Sequence, residues 1–280
     1  MHISIMVSAI TVAVLVRLIW QPSQGNWANR WHHALSAFLF PPILLLMTSV
    51  AVLSMGHHGR MFGLPVGWIG CHIALGFLVW ASGLAGYLAW QGWRSLRQIH
   101  SYPVQAIAGH AGRVLDVSTL FAAQIGVWQP ELVVSQGLLQ TLNTEQLEAV
   151  LSHEQAHFYY RDNVWFFALG WVRQLTNWLP NTEALWQELL LLRELRADHW
   201  ATQHVDALVL AESLLLVVQS PLTGLKGAYA AFGEATHPNR LAERINSLIS
   251  PTPLDDGTYW MTWIWLPLAL LPLLTLPLHG

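Results

Sequence analysis

The sequence has little charge of either sign, a single lysine and a single cysteine. Only 10% of its 280 residues are charged, whereas 54% are apolar and 16 are tryptophan. Since about a quarter of an ordinary soluble domain is charged, this composition favours a chain that lies in a lipid bilayer. The net charge of −3 excludes the basic surface that nucleic-acid binding needs. The lone cysteine, Cys71, excludes an intrachain disulfide and a cysteine-based metal cluster.

Four apolar stretches are long enough to cross a bilayer, which takes roughly 20 helical residues. They are residues 3–20, 34–55, 64–90 and 259–278. Three prolines in the last stretch are expected to bend it, because proline lacks an amide hydrogen. The first stretch has a signal peptide as its alternative reading, although it lacks a basic start and a cleavage site. The run 164–179 is short for a span and predicts a buried or membrane-surface helix, with a fifth span as the alternative.

A helix with a metal-ligand pattern is predicted in the polar region between the third and fourth stretches. Asn143 and Gln146 predict its capped start, and residues 153–157 read HEQAH, which fits HExxH. His153 and His157 lie one turn apart on one helical face, so both can bind the same zinc ion. The intervening Glu154 can accept a proton from the attacking water and pass it to the leaving amine. The pattern indicates a zinc-dependent peptidase.

A catalytic zinc needs a third protein ligand, and Glu194 is the candidate. Glu194 and Asp198 lie one turn apart on a second predicted helix, for which Thr182 is the expected N-cap. Glu194 can bind the metal while Asp198 orients a histidine ligand through a hydrogen bond. The alternative is a solvated charged helix face beside the neighbouring arginines.

Two runs of the sequence resemble the membrane-bound gluzincin peptidases over about residues 130–201. They are ELVVSQGLLQTLNTEQLEAVLSHEQAHFYYRDN and LLLRELRADHWA. The resemblance is to BlaR/MecR-type signal-transducing proteases and to HtpX-type quality-control proteases. It implies zinc ligation by His153, His157 and Glu194, with Glu154 as the catalytic base. The 37 residues from His157 to Glu194 and the Arg-Asp pair after the metal helix favour the BlaR/MecR type.

The stretch THPNRLAERINSL, residues 236–248, is instead similar to a His-Pro element of HtpX-type enzymes. This similarity implies that His237 donates a hydrogen bond to the oxyanion formed at the scissile carbonyl. Arg244 stands about one residue later than that element places its arginine. The alternative for His237 is a surface histidine that precedes a helix.

The fold class expected is a mainly α integral membrane protein with about four transmembrane helices and a zincin-like α+β metallopeptidase domain between the third and fourth. Residues 1–100 form the membrane region, 101–251 the peptidase domain and 252–280 the last transmembrane helix. Arginines near the predicted span ends favour a cytoplasmic peptidase domain, in a bacterial inner membrane.

The function expected is cleavage of a cytoplasmic protein substrate in transmembrane signalling, and the BlaR/MecR resemblance implies a transcriptional repressor. The alternatives are an HtpX-like quality-control protease and a non-catalytic zinc-binding sensor or assembly protein. The strand 131–135 is a candidate to hold the substrate in extended form. A further hypothesis is a copper site in the loop between the second and third apolar stretches, because thioether and imidazole ligands suit copper(I). Its ligands would be Met55, His57, His58 and Met61.

Overall fold

The structure is a computed structural model of the chain, which divides into two compact units. It describes residues 2–22, 25–56, 60–61, 64–65, 68–219, 238–250, 263 and 265–278. Unit 1 comprises Met1–Tyr87, Trp171–Leu192 and Leu254–Gly280, and unit 2 comprises Leu88–Gly170 and Arg193–Pro253. The described residues are mostly helical, with three long apolar helices and a small mixed sheet. The domain bounds expected at residues 100 and 251 stay a prediction.

The elements follow one another along the chain in this order. They are α1 (His2–Ile19), α2 (Trp27–Met55), β1 (Arg60–Met61), β2 (Leu64–Pro65), α3 (Trp68–Ile99), β3 (Val104–Ile107), β4 (His110–Leu115), β5 (Ala122–Ile125), β6 (Glu131–Ser135), α4 (Gln136–Thr141), α5 (Thr144–Tyr159), α6 (Asp162–Leu175), α7 (Thr182–Ala201), α8 (Ala207–Gln219), α9 (Pro238–Ile249), α10 (Leu266–Ala269) and a final 3-10 helix (Leu271–Leu278).

Helices α1, α2 and α3 are long and apolar enough to cross a membrane, with 18, 29 and 32 residues. The sequence predicted all three. Helix α2 begins earlier and α3 ends later than expected, because hydropathy marks only the apolar part of a helix that continues into polar residues. The side chain of Asn26 accepts a hydrogen bond from Asn29 N and so caps the start of α2. These three helices suggest a membrane-embedded protein.

The fourth predicted span, 259–278, is not one long helix in the part that the structure describes. Residues 259–262 and 264 lie outside the described residues, and the later part of the stretch forms α10 and then the 3-10 helix. Pro267 lies in the first turn of α10, where a missing amide is tolerated, whereas Pro272 and Pro277 cannot donate to an α-helical ladder, and 3-10 pieces are common where that ladder is interrupted. A total of four spans therefore stays a prediction.

A buried arginine ties the helices of unit 1 together. Arg17 is fully buried, and its Nη2 donates to the Phe38 carbonyl at 3.1 Å. That carbonyl has no helical donor, because the residue four positions later is Pro42. The guanidinium also donates to the hydroxyls of Thr182 and Thr176, at 3.3 and 3.4 Å. One side chain of α1 thus bonds α2, the start of α7 and the residue just after α6.

The start of α7 differs from the expectation that Thr182 is its N-cap. Thr182 is the first helical residue, and its hydroxyl donates to the carbonyls of Thr176 and Leu179. Asn181, with a left-handed φ of 55°, precedes it, and its carbonyl accepts the amide of Leu185. Asparagine tolerates this φ better than most residues do. The Thr182 hydroxyl therefore closes the preceding turn instead of accepting an amide of the helix.

Unit 2 contains a four-stranded sheet in the order β3-β4-β6-β5. Strands β4 and β6 are parallel, whereas the other two pairs are antiparallel. The strand predicted at 131–135 is confirmed. Strand β4 ends at Leu115, because Val117 N–H turns back to the Leu115 carbonyl. Strand β6 is paired on both sides, so the expectation that it holds an extended substrate is wrong. In the part of the chain that the structure describes, the edge strands of this sheet are β3 and β5.

Helix α5 is placed by its capped start and by its apolar face. The predicted capping box is confirmed, since Asn143 and Gln146 each accept a hydrogen bond from the other's amide. Val150 and Leu151 of α5 belong to one buried cluster with Val134 of the sheet. Burial of an aliphatic side chain of this size stabilises a fold by about 1.5–3 kcal/mol. This packing fixes the helix that carries the metal-ligand pattern against the sheet.

Candidate metal centre and active site

The two histidines of α5 present their Nε2 atoms to the same point. These atoms lie 3.2 Å apart, and both rings are buried. The Nδ1 atom of His153 lies 2.9 Å from Asp198 Oδ1, and that of His157 lies 2.8 Å from Asp162 Oδ2. A carboxylate at Nδ1 holds the proton there and leaves Nε2 with its lone pair free for a metal. The two carboxylates therefore orient the imidazoles so that their Nε2 atoms face the same point.

Glu194 of α7 completes a group of three ligand atoms. Its Oε2 lies 3.3 Å from His153 Nε2, and its Oε1 lies 3.7 Å from His157 Nε2. Ligands held about 2.0–2.1 Å from a tetrahedral zinc ion lie roughly 3.3 Å from one another, so the spacing suits zinc. Two imidazoles and one carboxylate are also the ligand set of many catalytic zinc sites, which keep a fourth position open. The residues present fit a zinc ion.

Glu154 lies on α5 between the two histidines, and its Oε2 accepts the backbone amide of Gln124 at 3.1 Å. Burial raises the pKa of its carboxyl, although the neighbouring imidazoles oppose this rise. A carboxyl whose pKa is raised toward neutrality exchanges protons more readily near the operating pH of an enzyme. The arrangement lets Glu154 act as a general base that does not itself bind the metal.

A buried arginine from α9 joins the acidic side of the site. Arg244 donates through Nε and Nη2 to the two oxygens of Asp198, both at 2.7 Å. Its Nη1 lies 3.2 Å from Glu194 Oε2, and Arg193 donates to the other oxygen of Glu194. A bidentate pair of this kind fixes the carboxylate plane. Sequence reasoning identified Arg244 only as part of the His-Pro element.

The arginines keep the carboxylates of the site ionised. Burial raises the pKa of the Glu194 carboxyl, but Arg193 and Arg244 outweigh burial and hold this pKa well below its usual value. Burial likewise raises the pKa of Asp198, and Arg244 reverses the effect. Burial lowers the pKa of His153, whereas Asp198 and Glu194 raise it to a net value of about 9. Such a site favours a cation at the Nε2 atoms, and a metal ion competes with the proton for that place.

Asp162 contacts a candidate metal ligand, and sequence reasoning did not single it out as a site residue. Its side chain is 2% exposed and accepts hydrogen bonds from His157 and Arg196. It reaches back to the metal helix because Arg161, with a left-handed φ of 54°, reverses the chain between α5 and α6. The signal in the sequence was the Arg-Asp pair just after the metal helix, which indicated only a family resemblance.

The remaining predicted site residues divide between the described and the undescribed parts of the chain. Asp198 lies at His153, as predicted from its place one turn after Glu194. His237 lies outside the described residues. His57 and His58, two of the four residues proposed to bind copper, also lie outside the described residues.

Comparison with known families gives a match to a peptidase family. The model of peptidase family M48 matches residues 117–191, which include HEQAH on α5 and end before Glu194. The match supports a zinc metallopeptidase of this family and does not distinguish between the BlaR/MecR and HtpX types. Comparison with curated proteins and with solved structures gives no match.

Proposed function

We propose that the chain is a membrane-embedded zinc endopeptidase in which His153, His157 and Glu194 bind the metal. The observation that carries this proposal is the convergence of their three ligand atoms, all within 4.8 Å of one another. The match to peptidase family M48 and the three long apolar helices support it independently.

In this mechanism each residue of the site has one task. Bound zinc would polarise the scissile carbonyl and lower the pKa of the attacking water. Glu154 accepts a proton from that water and donates it to the leaving amine when the carbon–nitrogen bond breaks. Asp198 and Asp162 hold the two imidazoles in place through Nδ1. By the His-Pro resemblance, we propose that His237 donates to the oxyanion.

The edge strand β5 is the surface on which we place the substrate. Among the residues that the structure describes, β5 pairs only with β6, so the other side of β5 is an open edge. The amide of Gln124 on β5 contacts the general base Glu154. An extended peptide that adds to this edge would carry its backbone past the proposed metal ligands. Main-chain hydrogen bonds then supply affinity for any sequence, while side-chain contacts select among sequences.

The physiological substrate that we propose is a cytoplasmic protein, namely a transcriptional repressor whose cleavage switches on its genes. This proposal rests on the BlaR/MecR resemblance, on the spacing of 37 positions from His157 to Glu194 and on the predicted cytoplasmic orientation. The alternative is an HtpX-type protease that clears damaged membrane proteins, which the resemblance at 236–248 favours.

A quantitative proteome of the native host distinguishes these functions. The host carries either the wild-type chain or Glu154→Gln, which keeps the metal ligands and removes the proton acceptor. Accumulation of one transcription factor and loss of its fragments in the mutant would support the signalling protease. Stabilisation of many membrane proteins would support quality control instead.

A third candidate is a membrane sensor or assembly protein that binds zinc and cleaves nothing. It predicts identical proteomes for the wild-type chain and Glu154→Gln under inducing and non-inducing conditions. A closed, four-ligand zinc coordination sphere in the X-ray absorption spectrum would favour it, because a catalytic zinc keeps a position for water.

A further inference from the structure

The open edge of β5 is partly occupied by two side chains of unit 2. The Gln124 amide donates to Glu154, while the Gln124 carbonyl accepts Nδ2 of Asn163 at 2.8 Å. The same Nδ2 donates to the carbonyl of Gly126 at 2.7 Å. Gly126 lies just after the end of β5, and both carbonyls come within hydrogen-bond distance of this one nitrogen. Asn163 therefore bridges the two carbonyls through its two amide hydrogens.

The side chain amide of Asn163 suits this position. Its Nδ2 carries two hydrogens, and the structure uses both on the two carbonyls. Aspartate has the same shape but only acceptors, so it would set a carboxylate against two carbonyl oxygens. Gly126 has a φ of 124°, which only glycine adopts readily, and it ends the strand just beyond Gln124.

Asn163 also lies next to a support of the metal site. It is the second residue of α6, directly after Asp162, which contacts His157. Two successive residues thus tie the start of α6 to a proposed metal ligand and to the edge strand. These contacts fix the distance between β5 and α5. They therefore also fix the position of the Gln124 amide that donates to Glu154.

We propose that Asn163 is a positioning residue for the general base. It also marks the end of the part of β5 with which a substrate strand can pair. By holding the Gln124 carbonyl, it aims the Gln124 amide at one oxygen of Glu154 and leaves the other oxygen for proton transfer. Because Asn163 occupies the Gln124 and Gly126 carbonyls, a substrate strand can pair only with the part of β5 that precedes Gln124, which starts at Ala122. The proposal rests on the proposed peptidase function.

The test uses the full-length chain, loaded with zinc, in lipid nanodiscs. Asn163→Asp removes both donated hydrogens at constant size, and Asn163→Ser retains one donor. Gln174→Glu is the matched control, because it makes the same amide-to-acid change at an exposed position of the same helix. The readouts are zinc content, kcat and KM with fluorescein-labelled β-casein, and deuterium uptake at residues 120–127.

We expect Asn163→Asp to retain zinc and to lower kcat about 10- to 100-fold with little change in KM, because a small misplacement of a catalytic group costs this much. Deuterium uptake at 120–127 should rise, Asn163→Ser should lie between it and wild type, and Gln174→Glu should match wild type. If Asn163→Asp does not fold, the same comparison is made with Asn163→Ser.

An unchanged kcat would overturn the proposal, as would unchanged deuterium uptake. A rise in KM alone would overturn it too, because it would assign Asn163 to substrate affinity. Failure of the proposed function is a separate result, in which wild type cleaves casein no faster than Glu154→Gln. The uptake at 120–127 then still decides whether Asn163 clamps the strand.

Discussion

Replacement of Asp162 by asparagine tests whether the residues behind the ligands hold the metal site in shape. The carboxylate lies 2.8 Å from His157 Nδ1 and is almost fully buried. Asparagine keeps the size and removes the charge that holds the proton at Nδ1. Loss of such a supporting contact lowers metal affinity about 10- to 100-fold, or by about 1.4–2.8 kcal/mol. We expect Asp162→Asn to weaken zinc binding by this factor.

The measurement is a competition titration, in which the purified chain and a chromogenic chelator of known affinity share a limiting amount of zinc. The control is Asp116→Asn, the same change at an exposed position outside the site. Circular dichroism shows whether each variant keeps its helices. A folded Asp162→Asn chain that binds zinc as tightly as wild type would refute the supporting role of Asp162.

Four further predictions concern the chemistry and stability of the chain. Removal of zinc by 1,10-phenanthroline should abolish casein cleavage, and added zinc should restore it within one assay. Asn143→Ala should lower the free energy of unfolding by about 1 kcal/mol, because the capping box of α5 is lost, and chemical denaturation in detergent measures this. Leu138→Ala, at a fully buried core position, should cost about 2–5 kcal/mol in the same assay. The hydrogen bond from Arg113 lowers the pKa of Glu131, so the stability that Glu131 contributes is present above its unfolded-state pKa. It is lost as the pH falls through the folded-state value, and the melting temperatures of wild type and Glu131→Gln should therefore converge in acid.

The candidate metal-ligand cluster and its supporting helix follow local rules that a sequence carries. Residues four apart share a helical face, so HEQAH predicted that His153 and His157 would converge. The Asn143 capping box is equally local, and the structure confirms it. Glu194 comes from another helix, and the need for a third ligand predicted its place beside the histidines.

Features that depend on how the chain turns or pairs were not predictable in this way. The contact from Asp162 to His157 requires the left-handed Arg161, which no periodicity reveals. The order of the strands depends on contacts distant in sequence, so the sequence did not reveal that the strand at 131–135 is paired on both sides. Threonine is a residue type that often caps helices, but the Thr182 hydroxyl donates to carbonyls of the preceding turn instead.

The hydrogen bond from Arg17 to the Phe38 carbonyl makes two positions of the sequence thermodynamically interdependent. Pro42 leaves that carbonyl without a partner inside α2, and Arg17 supplies the donor from α1. Pro42→Ala would restore a helical donor and make this bond of Arg17 redundant. The loss of stability on replacing Arg17 should then be smaller in the Pro42→Ala background than in wild type. In evolutionary terms, the two residues should be gained and lost together.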